Sequence, residues 1–190
     1  MRIMRSQKGV TLIELAVVMA IVAIMGLFLA PAIGEWVDNF RIRQSARDVS
    51  SDLQFAKMKA IGSGVRCAVV FNANGYVIFP DYNNNMVLDN VNIDINGDGI
   101  NENETTDILK AAVLGRNIAF DTDQGGGDGI DIPAVPASGL PTIAFNRSGL
   151  PIENAGPLTN QRNIFLQNTK NNKHQQVTIS ASGRIGINEY

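Results

Sequence analysis

Residues 15–34 form an unbroken stretch of twenty uncharged positions, and that stretch limits what this 190-residue chain can become. As an α-helix it would measure about 30 Å, the thickness of a bilayer's hydrocarbon core. Residues 1–9 ahead of it hold Arg2, Arg5 and Lys8 and no acid. Basic flanks stay on the cytoplasmic side, so everything from Glu35 onward is expected across the membrane. A secretory signal also begins with bases before an apolar stretch, but its small-residue cleavage site follows that stretch. Here the polar break, Lys8-Gly9, comes first. Glu14 is the only charged residue between Val10 and Gly34. A carboxylate near the start of a bilayer helix is costly unless it is partnered, so a plain anchor does not account for it.

Helical spacing continues to about Ser63. Ile33, Trp36, Val37, Phe40, Val49, Leu53, Ala56 and Ala60 recur mostly at that spacing and predict a core-facing stripe. Arg41, Arg43, Arg47, Asp48 and Asp52 mark the expected wet side. Gly62-Ser63-Gly64 ends the helix. Short β-type runs follow at 65–71, 76–79, 111–114, 118–120, 142–145, 163–166, 177–180 and 184–187. Asn72-Ala73-Asn74-Gly75 reads as a hairpin turn, residues 168–173 as a second, and Ser182-Gly183 as a third. The expected class is α+β, a long N-terminal helix packed on antiparallel sheet. Two polar stretches interrupt it, 80–106, rich in Asn and Asp, and 121–139, rich in Gly and Pro; such loops are either functional or mobile, and for Asp121-Thr122-Asp123 with Asp128 a flexible loop is expected rather than a metal site.

Lys and Arg total 16 against 18 Asp and Glu, so no overall basic character points to nucleic acid. Residues 72–131 carry eleven acids and two bases, Lys110 and Arg116, while residues 141–190 carry five bases and two acids. Cys67 is the only cysteine, which excludes an internal disulfide, and its apolar neighbours suit a small buried thiol. His174, the only histidine, falls in an expected turn and reads as solvated. With no histidine elsewhere, no Ser-His-Asp or Cys-His system can be assembled, and no phosphate-binding glycine loop occurs. The chain is therefore not expected to be an enzyme.

Asp94-Ile95-Asn96-Gly97-Asp98-Gly99 has the spacing that opens a calcium loop. Oxygen side chains of Asp94, Asn96 and Asp98 alternate so as to converge on a hard cation, and glycine permits the sharp turn. The closing bidentate Glu belongs at position 105, where Thr105 stands; Glu104 is one residue early. A solvated Asn/Asp turn explains the same residues. Calcium (Ca2+) is the one cofactor that the sequence suggests.

Lys8-Gly9-Val10-Thr11-Leu12-Ile13-Glu14-Leu15 resembles the class III signal of type IV pilins and type II secretion pseudopilins. The resemblance implies that prepilin peptidase cuts after Gly9 on the cytoplasmic face and methylates the new terminus, Val10, where the family usually has Phe. Glu14 matches the family's glutamate five residues into the mature chain, and Pro31 falls where many relatives kink the helix. Cleavage would leave a cationic amine on Val10, and Glu14 of one subunit would pair with the amine of a neighbour. An unpaired carboxylate is expensive in low dielectric, so this pairing would act as a registry check on assembly.

Three later stretches resemble the GspH/FimT group of minor pseudopilins. They are Phe55-Ala56-Lys57-Met58-Lys59-Ala60 with the run after it, Ile143-Ala144-Phe145-Asn146-Arg147-Ser148-Gly149, and Val177-Thr178-Ile179-Ser180 with Ser182-Gly183-Arg184-Ile185. The resemblance implies a type IV pilin-like fold and a minor subunit of a type II secretion pseudopilus. It divides the chain into a leader at 1–9, a transmembrane and assembly helix at 10–34, and an extracytoplasmic domain at 35–190. The protein would sit in the inner membrane with a single pass and its C-terminal domain in the periplasm. Its partners would be other pseudopilins or pilins in a filament, and prepilin peptidase. The alternative is a FimT-type minor pilin for pilus assembly or DNA uptake. Some FimT-type relatives bind DNA through a Gly-Arg-x-Arg turn. Gly183-Arg184-Ile185-Gly186 keeps Arg184 and loses the second Arg, so nucleic acid is not the expected partner.

Overall fold

The computed structural model describes residues 9–89, 92–93, 102–154 and 156–190, with backbone alone at 27–32, 92, 93 and 102. The loop residues Asp94, Asn96 and Asp98 lie outside the described residues. One helix, α1 (Leu12–Ser63), comes first. Thr11 caps it, its Oγ1 accepting the Glu14 N–H at 3.3 Å. Glu14 lies in the first turn, where the helix dipole favours a negative charge. The helix stops at Gly64, which takes a left-handed φ of +67° and donates its N–H to the Ala60 carbonyl. The chain divides into two compact units, Met1–Val37 and Asp38–Tyr190.

In the first unit, the large apolar side chains from Leu12 to Met25 are 51–86% exposed. A helix apolar on every side requires lipid or other helices around it. Among the described residues no helix is long and apolar enough to cross a membrane. The uncharged stretch of the sequence runs on through 27–32, whose side chains are not described.

In the second unit α1 buries Ile42, Ala46, Val49, Leu53, Ala56 and Ala60, spaced four and three residues apart along one face. The later half of the expected stripe is therefore correct. The earlier half is not, since Ile33, Trp36 and Phe40 are 58%, 67% and 52% exposed. Phe40 precedes Ile42 by two residues, about 200° around the helix, so burying Ile42 turns Phe40 outward. Asp52 also departs from expectation. It is buried beside Leu53, where its carboxylate accepts the Tyr76 hydroxyl at 2.7 Å and the Lys110 ammonium at 2.6 Å.

Among the described residues twelve strands follow: β1 (Arg66–Asn72), β2 (Gly75–Asp81), β3 (Asn92–Ile93), β4 (Glu102–Asn103), β5 (Lys110–Val113), β6 (Ile118–Phe120), β7 (Thr142–Phe145), β8 (Pro151–Glu153), β9 (Gly156–Pro157), β10 (Arg162–Asn168), β11 (Lys173–Ile179) and β12 (Ile185–Asn188). They form a six-stranded sheet ordered β5-β2-β1-β7-β8-β9, a four-stranded sheet ordered β12-β11-β10-β6, and the small pair β3-β4. Every pairing is antiparallel. The three expected turns all occur, joining β1 to β2, β10 to β11 and β11 to β12.

Both sheets send side chains to the core under α1, among them Phe71, Phe145, Ile164, Leu166, Val177 and Ile179. Strand β1 is buried on both faces. Cys67, Val69 and Phe71 join the α1 core, while Ala68 and Val70 pack with Phe79, Met86, Val135 and Ala144 in a second cluster. That double burial is why its sequence is continuously apolar rather than alternating. Burial pushes the Cys67 thiol up to about 12, in keeping with an inert core residue.

The 121–139 stretch is tied to the four-stranded sheet and the core. Its glycine turn (Gly125–Gly129) leads to Ile130, bridged to Ile164, and to Asp131, whose N–H reaches the Asn163 carbonyl. Ile130, Ile132 and Val135 are buried, so three apolar residues spaced among the prolines hold the segment down.

Candidate functional site

Val10 is 74% exposed, and among the described residues a side chain at Gly9 would meet no atom within 4 Å. Glu14 follows one helical turn later and is exposed. Among the described residues it forms no ion pair.

The three late motifs converge. Lys57 Nζ donates to the Gly183 carbonyl at 2.9 Å. A Cβ at Gly183 would come within 2.8 Å of the Gly149 carbonyl, and one at Gly149 within 3.0 Å of Lys57 Cε. Both glycines also take left-handed φ, +75° at Gly149 and +76° at Gly183, which a side chain disfavours. The Ser148-Gly149 and Ser182-Gly183 turns thus pack against each other over Lys57. Arg184 is exposed on this turn. At Gly186, a Cβ would stand 3.1 Å from Thr178 Oγ1.

Asp94, Asn96 and Asp98 have no described position, but the chain on either side is tied. Strands β3 and β4 pair Asn92 with Asn103 and Ile93 with Glu102. Just beyond, Glu104 is fully buried, Oε1 accepting the Tyr82 N–H at 2.8 Å and Oε2 the Asp89 N–H at 3.4 Å. Burial pushes its carboxyl up to about 7; the two N–H groups oppose that rise and the nearby Asp81 and Asp89 add to it. Asp107 accepts the Tyr82 hydroxyl at 3.0 Å and the Asn103 N–H at 3.1 Å. Among the described residues, no three His, Cys, Asp or Glu side chains are grouped so as to hold a metal.

Two polar clusters have no counterpart in the sequence reading. His174 lies in β11, not in a turn, and its Nδ1 is 3.0 Å from Asp121 Oδ2. The Tyr190 hydroxyl donates to the same oxygen at 2.7 Å, and its ring meets Phe165 edge-on. Burial pulls Asp121 upward, but the Tyr190 hydroxyl, the Asp123 N–H and His174 outweigh it and hold the carboxyl below its ordinary value. The second cluster ties the β10–β11 turn to α1. Lys170 Nζ is 2.7 Å from Asp38 Oδ2, Asn168 Nδ2 donates to the Asp38 carbonyl at 2.9 Å, and Asn171 Nδ2 to Asn39 Oδ1 at 3.0 Å. Partners 130 or more residues apart leave no local trace in sequence. Only the inward, apolar alternation of β10 hints that Asn168 faces the core.

A long N-terminal helix that opens on an exposed Gly-Val junction, and whose later part is laid on antiparallel sheet, defines a type IV pilin-like subunit. Residues 4–30 match the prokaryotic N-terminal methylation motif, and residues 45–183 match the family described as type II transport protein GspH. The chain belongs to the GspH family. It is a membrane-anchored, pilin-like chain that assembles with other such subunits. The type IV minor pilin FimU of Pseudomonas aeruginosa (strain PAO1) shares the fold, with a TM-score of 0.50 at 14% identity over 80% of this chain and 92% of that one. The minor pseudopilin EpsH from the type 2 secretion system of Vibrio cholerae resembles it with a TM-score of 0.48 at 13% identity, over 78% of this chain and 97% of that one. No curated protein matches the chain in sequence.

Proposed function

We propose that this chain is a minor pseudopilin that has a structural role in a type II secretion pseudopilus, supporting filament assembly and protein export. The observation that carries the reading is the family match over residues 45–183, which takes in the Lys57, Gly149 and Gly183 contact. Residues 1–9 act as the leader, residues 10–34 as the transmembrane and assembly helix, and residues 35–190 as a periplasmic domain. Prepilin peptidase removes the leader after Gly9 and methylates Val10. Glu14 then pairs with the Val10 amine of a neighbouring subunit, relieving the cost of an isolated charge in the filament interior.

Two variants test this. Gly9→Leu puts a bulky side chain at the cut and leaves the full-length protein in the membrane; removal of nine residues from it at the normal rate refutes the processing step. Glu14→Leu is cleaved and inserted normally, while its incorporation into filaments falls. Wild-type incorporation of that variant refutes the pairing. The fold shared with FimU, together with exposed Arg184 beside Lys57, keeps a minor type IV pilin as the second reading. Deletion of the gene separates the two: protein export fails in the first case, and piliation or DNA uptake in the second.

A further inference from the structure

The turn that grips α1 at Asp38 is basic, and it is held where the chain leaves its uncharged stretch. Lys170 and Lys173 flank that turn, and Arg116 stands beside it because the Asn117 carbonyl accepts the Thr169 N–H at 2.9 Å. Arg43 lies on the neighbouring turn of α1, 61% exposed at its side chain. Asp38 is answered by two bases, Arg41 and Lys170, so that group is itself cationic. Arg43 is 3.7 Å from Glu189. Arg116 and Lys173 are exposed and form no ion pair among the described residues. Five bases, Arg41, Arg43, Arg116, Lys170 and Lys173, thus gather with three acids, Asp38, Glu189 and Asp121, the last held by His174 and Tyr190.

The position of this charge is set by the covalent chain. Asn39 follows Gly34, the last residue of the uncharged stretch, by five residues. Five residues span about 18 Å at full extension, and about 8 Å as helix. Even fully extended, this tether keeps Asn39, which Asn171 of the basic turn contacts, within about 18 Å of the stretch. A separate, largely acidic group lies elsewhere. Asp81, Asp89, Glu104 and Asp107 gather around Tyr82, next to Arg66 at the start of β1. Arg66 follows the end of α1, and Ser63 is 25 helical residues, about 38 Å, beyond Asp38.

We infer that, before assembly, the face formed by Arg43, Arg116, Lys170 and Lys173 docks on anionic phospholipid headgroups. Basic residues beside a membrane anchor are each drawn to such a surface. The distal acidic group disfavours the opposite orientation. The inference rests on the proposed membrane anchoring and adds a second contact with the bilayer.

The test uses the full chain reconstituted in phosphatidylcholine vesicles with or without about 30% phosphatidylglycerol, each holding a trace of headgroup-linked quencher. A fluorophore is placed on Thr169→Cys, an exposed site in the turn; Cys67 is buried and escapes labelling. A second reporter, Ala181→Cys, sits on the far turn next to Lys57, about 28 Å along α1 from Asp38. Quenching at residue 169 is expected to be at least about twofold stronger in the anionic vesicles, with no change at residue 181. Arg116→Gln with Lys173→Gln, or about 0.5 M salt, abolishes the difference. Equal quenching at residue 169 in both vesicles, or a difference that survives the double variant, overturns the docking. Flotation with the vesicles separates the two ideas. A chain that floats but shows no lipid dependence is anchored without docking, and one that fails to float refutes the anchoring itself.

Discussion

Lys170 Nζ lies 2.7 Å from Asp38 Oδ2, closing the β10–β11 turn onto the first residue of the compact unit. The Lys170 hydrogen bond, assisted by the charges of Lys170 and Arg41 and opposed by burial, holds the Asp38 carboxyl below its ordinary value. A carboxylate whose folded-state value is depressed stabilises the fold above its unfolded value and loses that effect as pH falls through the folded one. Wild-type protein should therefore melt higher than Asp38→Asn at pH 7, and the gap should close below about pH 3. A gap that stays constant between those pH values contradicts the ion pair.

Glu104 has the opposite sign. Its folded-state value is raised to about 7, so the stability tied to its proton is complete below the unfolded value and is lost as pH rises through 7. Glu104→Gln keeps an oxygen for the Tyr82 N–H and has no charge to bury. Relative to wild type, the variant should gain about 1 kcal/mol between pH 5 and pH 8. Denaturant titrations at the two pH values measure it, and an unchanged difference rules out a buried, titrating carboxyl.

Arg162 on β10 reaches Glu153 on β8 with Nη2 and Nε at 2.6 and 2.9 Å from one carboxylate oxygen, linking the two sheets. Glu153 is 10% exposed at its side chain, so removing its partner strands a charge. Arg162→Met should cost about 2–4 kcal/mol, and Arg162→Met with Glu153→Leu distinctly less. Urea unfolding of the two variants decides it. Equal losses would mean that packing, rather than the orphaned carboxylate, sets the cost.

Calcium is testable without a view of the loop. If Asp94, Asn96 and Asp98 hold one ion with the affinity of extracellular loops, about 5 mM calcium adds roughly 1–2 kcal/mol. The full chain in detergent should then melt higher in calcium than in chelator, and Asp98→Ala should not respond. A melting point indifferent to calcium, or equally responsive in Asp98→Ala, leaves a solvated loop.

Much of this architecture follows from residues near each other in the chain. The uncharged stretch with Glu14 at its head, the stop at Gly64, the Asn-Gly hairpin and the placement of most strands rest on local spacing and turn chemistry, which the sequence displays directly. Strands β8 and β9 escaped because a proline-led segment and a two-residue segment carry no alternating pattern. Strand β11 begins early, at Lys173, because Gln175 is buried as a polar residue and masks the alternation.

The face of α1 that points inward could not be read in the same way. Its apolar residues occupy two faces, and only the sheets beneath Ile42 and Ala46 choose between them, leaving Phe40 outside. The same holds for polar groups. Asp52, Asp121 and His174 look like surface residues in sequence, yet each is at least partly buried because its partner arrives from a distant strand or from Tyr190. Sequence alone determined the uncharged N-terminal stretch, the long helix that carries it and the α+β order of elements, since these depend on contiguous hydrophobicity and local dihedral preference. The tertiary structure alone decided which charges are buried and paired. Desolvation and hydrogen bonding are set by neighbours in space, and here those neighbours stand up to 132 residues away, as Asn39 and Asn171 do.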